Sequence, residues 1–210
     1  MRVDGAESSP NPFVISVPYP SRGKYEEGET LVFYVTLFGT ACGLEQCVID
    51  AAQGMCNEKL AGARLIGVER VYCHKWSDNG AESFPFCDKL TINFVTPTEI
   101  HVQKKMTTQI DFLLFIDRLL GRISSIIDLY GEREFVLPYR LIAKKPFIQA
   151  EYDLRTVVFK TSEQPISGIM GSVRYTGDVT RYLPYIDLGS QIHIGRKTTR
   201  GCGEYVFEMA

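Results

Sequence analysis

The second half of the sequence constrains the fold most, because its apolar periodicity switches between strand and helix in a fixed order. Leu90 to Thr96 (LTINFVT) alternates as a half-buried strand does. After it, Thr107 or Thr108 can cap a long helix to about Tyr130. Its apolar residues Phe112, Phe115, Ile116, Leu119, Leu120, Ile123, Ile127 and Tyr130 keep helical spacing, and Gly131 stops it. Arg140 to Ile148 reads as irregular and basic, with Lys144 and Lys145 before Pro146. Tyr152 to Lys160 and Ile166 to Tyr175 read as a strand pair. Asp178 opens a turn into a helix from Tyr182 to Ile194, with Pro184 in the first turn, where no amide donor is needed. Gly203 to Met209 is the last strand. The order β-α-β-β-α-β is that of a ferredoxin-like α+β unit, here placed at 88–210.

The first third spells less. Phe13 to Pro18 suits an edge strand, and Leu31 to Phe38 is dense in β-branched and aromatic residues, as buried strands are. Ala41 to Met55 has apolar residues at 44, 48, 51 and 55, a helical spacing. Ala63 to Tyr72 alternates as another strand. This β-β-α-β over 1–87 lacks the opening β-α of a ferredoxin-like unit, so an incomplete N-terminal unit is expected. Sheet edges are seldom left bare, so a second copy or another subunit is expected to cover it. Cys73 to Phe86 reads as a loop at the domain boundary.

Between the last helix and the last strand runs GSQIHIGRKTTRGCGEY, Gly189 to Tyr205. Its glycines permit the positive φ of a concave turn whose N–H groups can approach a phosphate, and Arg196, Lys197 and Arg200 favour an anion. It is not a nucleotide-binding P-loop: five residues separate Gly189 from Gly195, and Arg196 intrudes before Lys197-Thr198. The competing reading is a tight connection whose glycines let helix and strand pack closely.

Other classes recede. At 210 residues, 45% hydrophobic and 23% charged, the chain can bury one large core or two small ones. Its net charge of −2 requires any nucleic-acid site to be a local patch. No run approaches the ~18 apolar residues of a membrane span. The first twelve residues lack the apolar core of a signal peptide, so the six cysteines read as reduced thiols of a cytoplasmic protein. Cys42, Cys47, Cys56, Cys73, His74 and Cys87 contain no C-x-x-C, which argues against a metal. Asp111 and Asp117 read as a solvated helix face.

From Ile166 the chain carries Gly171, Val173, Tyr175, Gly177 and Asp178, then Leu183, Pro184, Leu188 and Gly189, then His193, Gly195, Thr199, Gly201, Gly203 and Tyr205. This series resembles the C-terminal signature of the CRISPR-associated endoribonucleases that cut precursor CRISPR RNA. These are the sixth Cas protein, in the RAMP superfamily of ferredoxin-like, RRM-like RNA binders. Weaker similarity covers Pro12 to Ile15, Leu31 to Gly39 and Leu90 to Gly131. Arg196 stands where Lys is frequent, and Arg200 where an aromatic is. Relatives carry a longer region before Pro-Phe-Val, which is expected to be missing here.

The resemblance implies repeat-RNA binding and metal-independent cleavage with no cofactor: a 2′-hydroxyl attacks the adjacent phosphate and leaves a 2′,3′-cyclic end. Such chemistry needs a base, an acid and a cation on the phosphorane. His193, four residues before Lys197, is the candidate acid/base, with Lys197 or Arg196 on the phosphate. The competing reading has His193 hydrogen-bonding loop carbonyls. Relatives often place the catalytic histidine in the N-terminal unit. His74 and His101 read as local structural or exposed residues. RNA contacts are expected from Gly195, Arg196, Lys197, Thr198, Thr199, Arg200, Gly201 and Gly203, and from Arg174. The alternative function is a non-catalytic RNA-binding or scaffolding subunit. Expected partners are repeat RNA and a second copy or other Cas subunits, without a membrane.

Overall fold

The computed structural model describes residues 10–16, 18, 24–58, 60, 62–71, 84–131, 146–160 and 164–210. Two short strands, β1 (Phe13–Ile15) and β2 (Val35–Leu37), pair antiparallel. A 3-10 turn at Gly39–Leu44 then leads into α1 (Glu45–Glu58). The main sheet has four strands: β3 (Lys89–Thr98), β6 (Gln149–Phe159), β7 (Ile166–Thr176) and β8 (Tyr205–Met209). A two-residue-strand hairpin, β4 (His101–Val102) and β5 (Lys105–Met106), follows β3. Two helices complete the unit, α2 (Phe112–Tyr130) and α3 (Leu183–Ile192).

The sheet order is β6-β7-β3-β8, antiparallel throughout. In the unit's own strand count this is 2-3-1-4, with a helix after the first and third strands. That is the split β-α-β arrangement expected from the sequence.

One sheet face is buried under the helices. Leu90, Ile92 and Phe94 of β3 alternate inward and meet Val173, Tyr175 and Tyr205, whereas Lys89, Asn93 and Val95 point away. Phe112, Phe115, Ile116, Leu119 and Ile123 line the inner side of α2, as their spacing predicts. Phe94, Phe115 and Tyr205 pack edge-on, as do Phe112, Tyr175 and Tyr182. The buried phenols are satisfied: Tyr175 donates to the Ile110 carbonyl at 2.8 Å and Tyr205 to that of Ile186 at 2.6 Å. Gly189 leaves no room for a side chain between Leu119 and the Tyr205 hydroxyl, so part of the glycine pattern is indeed close packing.

Several boundaries differ from expectation. The cap of α2 is Asp111, which accepts from the Leu114 amide at 2.8 Å, because Thr107 instead bonds Gln109 in a local turn. The last helix ends at Ile192, since His193 takes φ 59°. Only Val35–Leu37 of the predicted 31–38 strand pairs as a strand. Residues 63–71 are not a strand: Ile66, Val68 and Val71 are exposed, and alternation without a partner does not hold one. Among the described residues the N-terminal part is therefore β-β-α. It is not detached, because Val14 and Phe38 enter the main core and the Tyr130 hydroxyl donates to the Pro10 carbonyl at 2.8 Å. Cys73, His74, Arg140, Lys144 and Lys145 lie outside the described residues.

Candidate RNA-processing site

The glycine-rich segment is a closed knot of backbone hydrogen bonds rather than an open cradle. The amides of Arg200, Gly201 and Cys202 donate to the carbonyls of Lys197, Thr198 and Lys197, at 2.9, 3.1 and 3.3 Å. The Gly203 amide reaches Pro97 O at 3.1 Å, and that of Arg196 reaches Glu99 O at 3.2 Å. Four of the residues expected on RNA, Arg196, Arg200, Gly201 and Gly203, thus already spend their amides within the protein, as does Cys202. A Cβ on Gly195, at φ 83°, would press on the Glu99 carbonyl, and one on Gly203, at φ 78°, would overlap the Ile194 carbonyl. Both glycines therefore shape the loop by letting its backbone approach these carbonyls.

Arg122 of α2 supports the loop from below. Its Nε donates to the Ile192 carbonyl at 2.9 Å and its Nη2 to Thr198 Oγ1 at 2.9 Å. Burial pushes its guanidinium down to about 10, still charged at neutral pH. Thr198, expected on RNA, is buried in this contact. Arg122 carried no signal in the sequence beyond being a cation on an otherwise apolar stretch of helix.

His193 is also inside, with 1% of its surface exposed. Its Nδ1 lies 3.2 Å from the Cys202 carbonyl. Burial pushes its pKa down to about 4, opposed by that hydrogen bond and helped by Arg122, so the ring is neutral at physiological pH. A neutral ring donates Nδ1–H to the carbonyl and holds the end of α3 against the loop's return. The geometry fits the second of the two sequence readings, a loop anchor, with the imidazole enclosed by the protein.

What does face outward is a charged cluster built where β3 overruns its partners. Past Phe94 its register against β7 shifts, and it then bonds the loop: Thr96 Oγ1 accepts from Glu204 N at 2.9 Å. This carries Glu99 under Arg196 and Lys197. Lys197 Nζ lies 3.2 Å from Glu99 Oε2, and Arg196 Nη1 3.7 Å from Oε1. His101 Nε2 lies 2.8 Å from Oε1 as well. His101 and Glu99 are residues that sequence reasoning left aside; only the bend of β3 brings them to the loop. Lys104 and Lys105 stand exposed on the adjoining hairpin, and Thr199 is half-buried beside exposed Arg200.

Arg174 is not part of this cluster. It sits on the uncovered sheet face opposite Thr91, 3.2 Å from Glu151. Six residue steps along β3 from Thr91 to Pro97 put it roughly 20 Å from the loop. Nearer the loop, a cavity of about 320 Å³ opens between Ile15, Phe159, Ile166, Met170, Arg200 and Gly201. Among the described residues no group of His, Cys, Asp and Glu could hold a metal ion, and no helix is long and apolar enough to cross a membrane.

Comparison with known proteins matches this architecture. The chain superposes on a Cas6 (TTHB231) product complex with TM-score 0.64 and 19% identity, over 96% of this chain and 83% of that one; the same protein also matches as Thermus thermophilus Cas6. A Cas6 (TTHA0078) product complex gives TM-score 0.60 at 20% identity, over 96% and 84% of the two chains. A Cas6-RT-Cas1–Cas2 complex gives 0.58 at 13% identity, over 94% of this chain and 24% of that one. No curated protein sequence matches the chain. A family model described as an N-terminal domain matches residues 2–80. A second, described as CRISPR-associated endoribonuclease Cas6, matches residues 92–205, from the second buried residue of β3 to the first of β8. With more than half its length in that match, including most of the sheet, both covering helices and the glycine loop, the chain belongs to the CRISPR-associated endoribonuclease Cas6 family.

Proposed function

We propose that this protein binds CRISPR repeat RNA along the loop and hairpin and cuts it without a metal, by attack of a 2′-hydroxyl on the neighbouring phosphate. The observation that carries the reading is the cluster at Glu99: Arg196 and Lys197 on a rigid loop, against one carboxylate, leave a net charge of 2 − 1 = +1 before His101, Lys104, Lys105 and Arg200 are counted. In a chain of net charge −2, that local excess is what a phosphate backbone needs. The cavity beside Arg200, floored by Phe159 and Met170, suits an unstacked base. Arg174, on the open sheet face, would contact RNA only as a separate patch.

The division at 1–87 and 88–210 remains our proposal, as does a cytoplasmic setting. The solved Cas6-RT-Cas1–Cas2 complex supports other Cas subunits as partners. A second copy or such a subunit would cover exposed Ile66, Val68 and Val71. The buried state of His193 favours a second reading, an RNA-binding subunit without cleavage. Incubating the purified chain with its repeat RNA in chelator separates them. A nuclease yields a product with a 2′,3′-cyclic phosphate. A binding subunit shifts the RNA in a gel and leaves it whole.

A further inference from the structure

With His193 enclosed, the cleavage reading lacks a proton-transfer group, and the structure holds a better-placed one. His101 has about a quarter of its side chain exposed, at 26%. Its Nε2 is 2.8 Å from Glu99 Oε1, and Glu99 is itself 11% exposed and stands just past the bent end of β3. When Nε2–H donates to this carboxylate, Nδ1 is the basic nitrogen, and it makes no hydrogen bond to the described residues. A carboxylate holding one imidazole nitrogen so that the other can take a proton is the arrangement acid–base catalysis uses. The other charged groups at this carboxylate are Arg196 and Lys197; opposite His101 on β5 stands uncharged Met106.

Two further features mark the place. Glu99 Oε2 is sealed from solvent and, though 3.2 Å from Lys197 Nζ, has no aligned hydrogen bond, a rare condition for a buried carboxylate. All four non-glycine residues with positive φ among the described ones fall on the two segments that meet here. They are Gln103 and Lys104 in the turn of the β4–β5 hairpin, and His193 and Lys197 in the loop. Such strained conformations cluster at functional sites.

We propose that His101 is the proton-transfer residue of RNA cleavage, positioned by Glu99, with Lys197 and Arg196 on the scissile phosphate. This rests on the nuclease reading above. In the step, the 2′-oxygen forms a new bond to phosphorus and its proton passes to Nδ1 of His101. The P–O5′ bond breaks with its electron pair on the 5′-oxygen, which takes a proton from water; the imidazolium then returns its proton to the hydroxide formed. Lys197 and Arg196 balance the charge that builds on the phosphorane. Glu99 holds the ring and stabilises it while protonated.

The test is single-turnover cleavage of repeat RNA by the full chain and its variants, with RNA affinity measured beside it. His101→Ala should lose cleavage by about 100-fold or more while affinity changes little. Imidazole in the buffer should restore part of the rate to His101→Gly, which a merely structural histidine would not show. Glu99→Gln should lower the rate in the parent but add little in the His101→Ala background, because the two act as one unit. A His101→Ala chain that binds and cuts like the parent overturns this assignment and leaves the nuclease reading standing. Loss on His74→Ala with none on His101→Ala does the same. A parent that binds repeat RNA and never cuts it sinks both.

Discussion

Acid should destabilise this protein through His193, by an amount that follows from its burial. The ring's pKa falls from 6.5 to about 4 on folding. Between those values the unfolded chain binds a proton that the folded chain refuses, so stability rises with pH across the interval and is lost as pH falls through it. It is complete above pH ~6.5 and lost progressively down to about pH 4. Working the two titrations through, the folded state loses about 2 kcal/mol between about pH 7 and pH 5 from this one group. For a chain of this size that lowers the melting temperature by roughly 4–8 °C. The comparison is with His193→Asn, whose amide can donate to the Cys202 carbonyl but does not titrate. Urea unfolding of both proteins at a series of pH values isolates the histidine, because every carboxylate is common to the two. The parent should lose about 2 kcal/mol more than the variant over that range. Equal pH dependence would refute a buried, neutral His193. So would loss of RNA cleavage in His193→Asn with folding intact, which would return this residue to the chemistry.

Arg122→Met keeps the aliphatic stem but removes the donors to Ile192 and Thr198. It should cost about 2–4 kcal/mol, since hydrogen bonds from a charged group contribute ~1.5–3 kcal/mol each and the relieved burial of charge offsets part of this. Thermal melting checks it, and a fall of less than about 2 °C would mean that the arginine does not hold the loop. Gly203→Ala should cost more than about 3 kcal/mol, from a left-handed conformation and overlap with the Ile194 carbonyl. Urea midpoints measure it, and a near-neutral result would place the loop's return elsewhere.

The second unit was legible because its signals are local. The α2 stripe and the alternation of β3 follow from which residues leave water, and the order of elements follows from them. The strand expected at 63–72 failed for the opposite reason. Its alternation is real, but a strand forms only where a partner offers hydrogen bonds, and sequence does not say who pairs with whom. The loop shows the same limit. Glycines and cations were visible in order, yet the use of its amides by Lys197, Thr198, Pro97 and Glu99 depends on tertiary approach. His193 looked like a catalyst because it stands next to glycines and lysine. Its side chain turns inward, where Ile192 and Ile194 on either side had already pointed. His101, for want of a motif, read as a local structural or exposed residue. Its meeting with Lys197 through Glu99 joins residues almost a hundred positions apart by a bend in β3.

The claim that matters most is that the loop's cations hold RNA phosphates. It is tested most directly by the salt dependence of repeat-RNA affinity, measured for the parent and for the chain with Arg196, Lys197 and Arg200 replaced by alanine. Each phosphate contact on a single strand contributes about −0.7 to the slope of log affinity against log salt. The account predicts weaker binding and a slope flatter by up to about 2 for the variant, with little change in melting temperature. A variant that binds repeat RNA as tightly as the parent, with the same slope, would contradict it and make the loop a structural turn only.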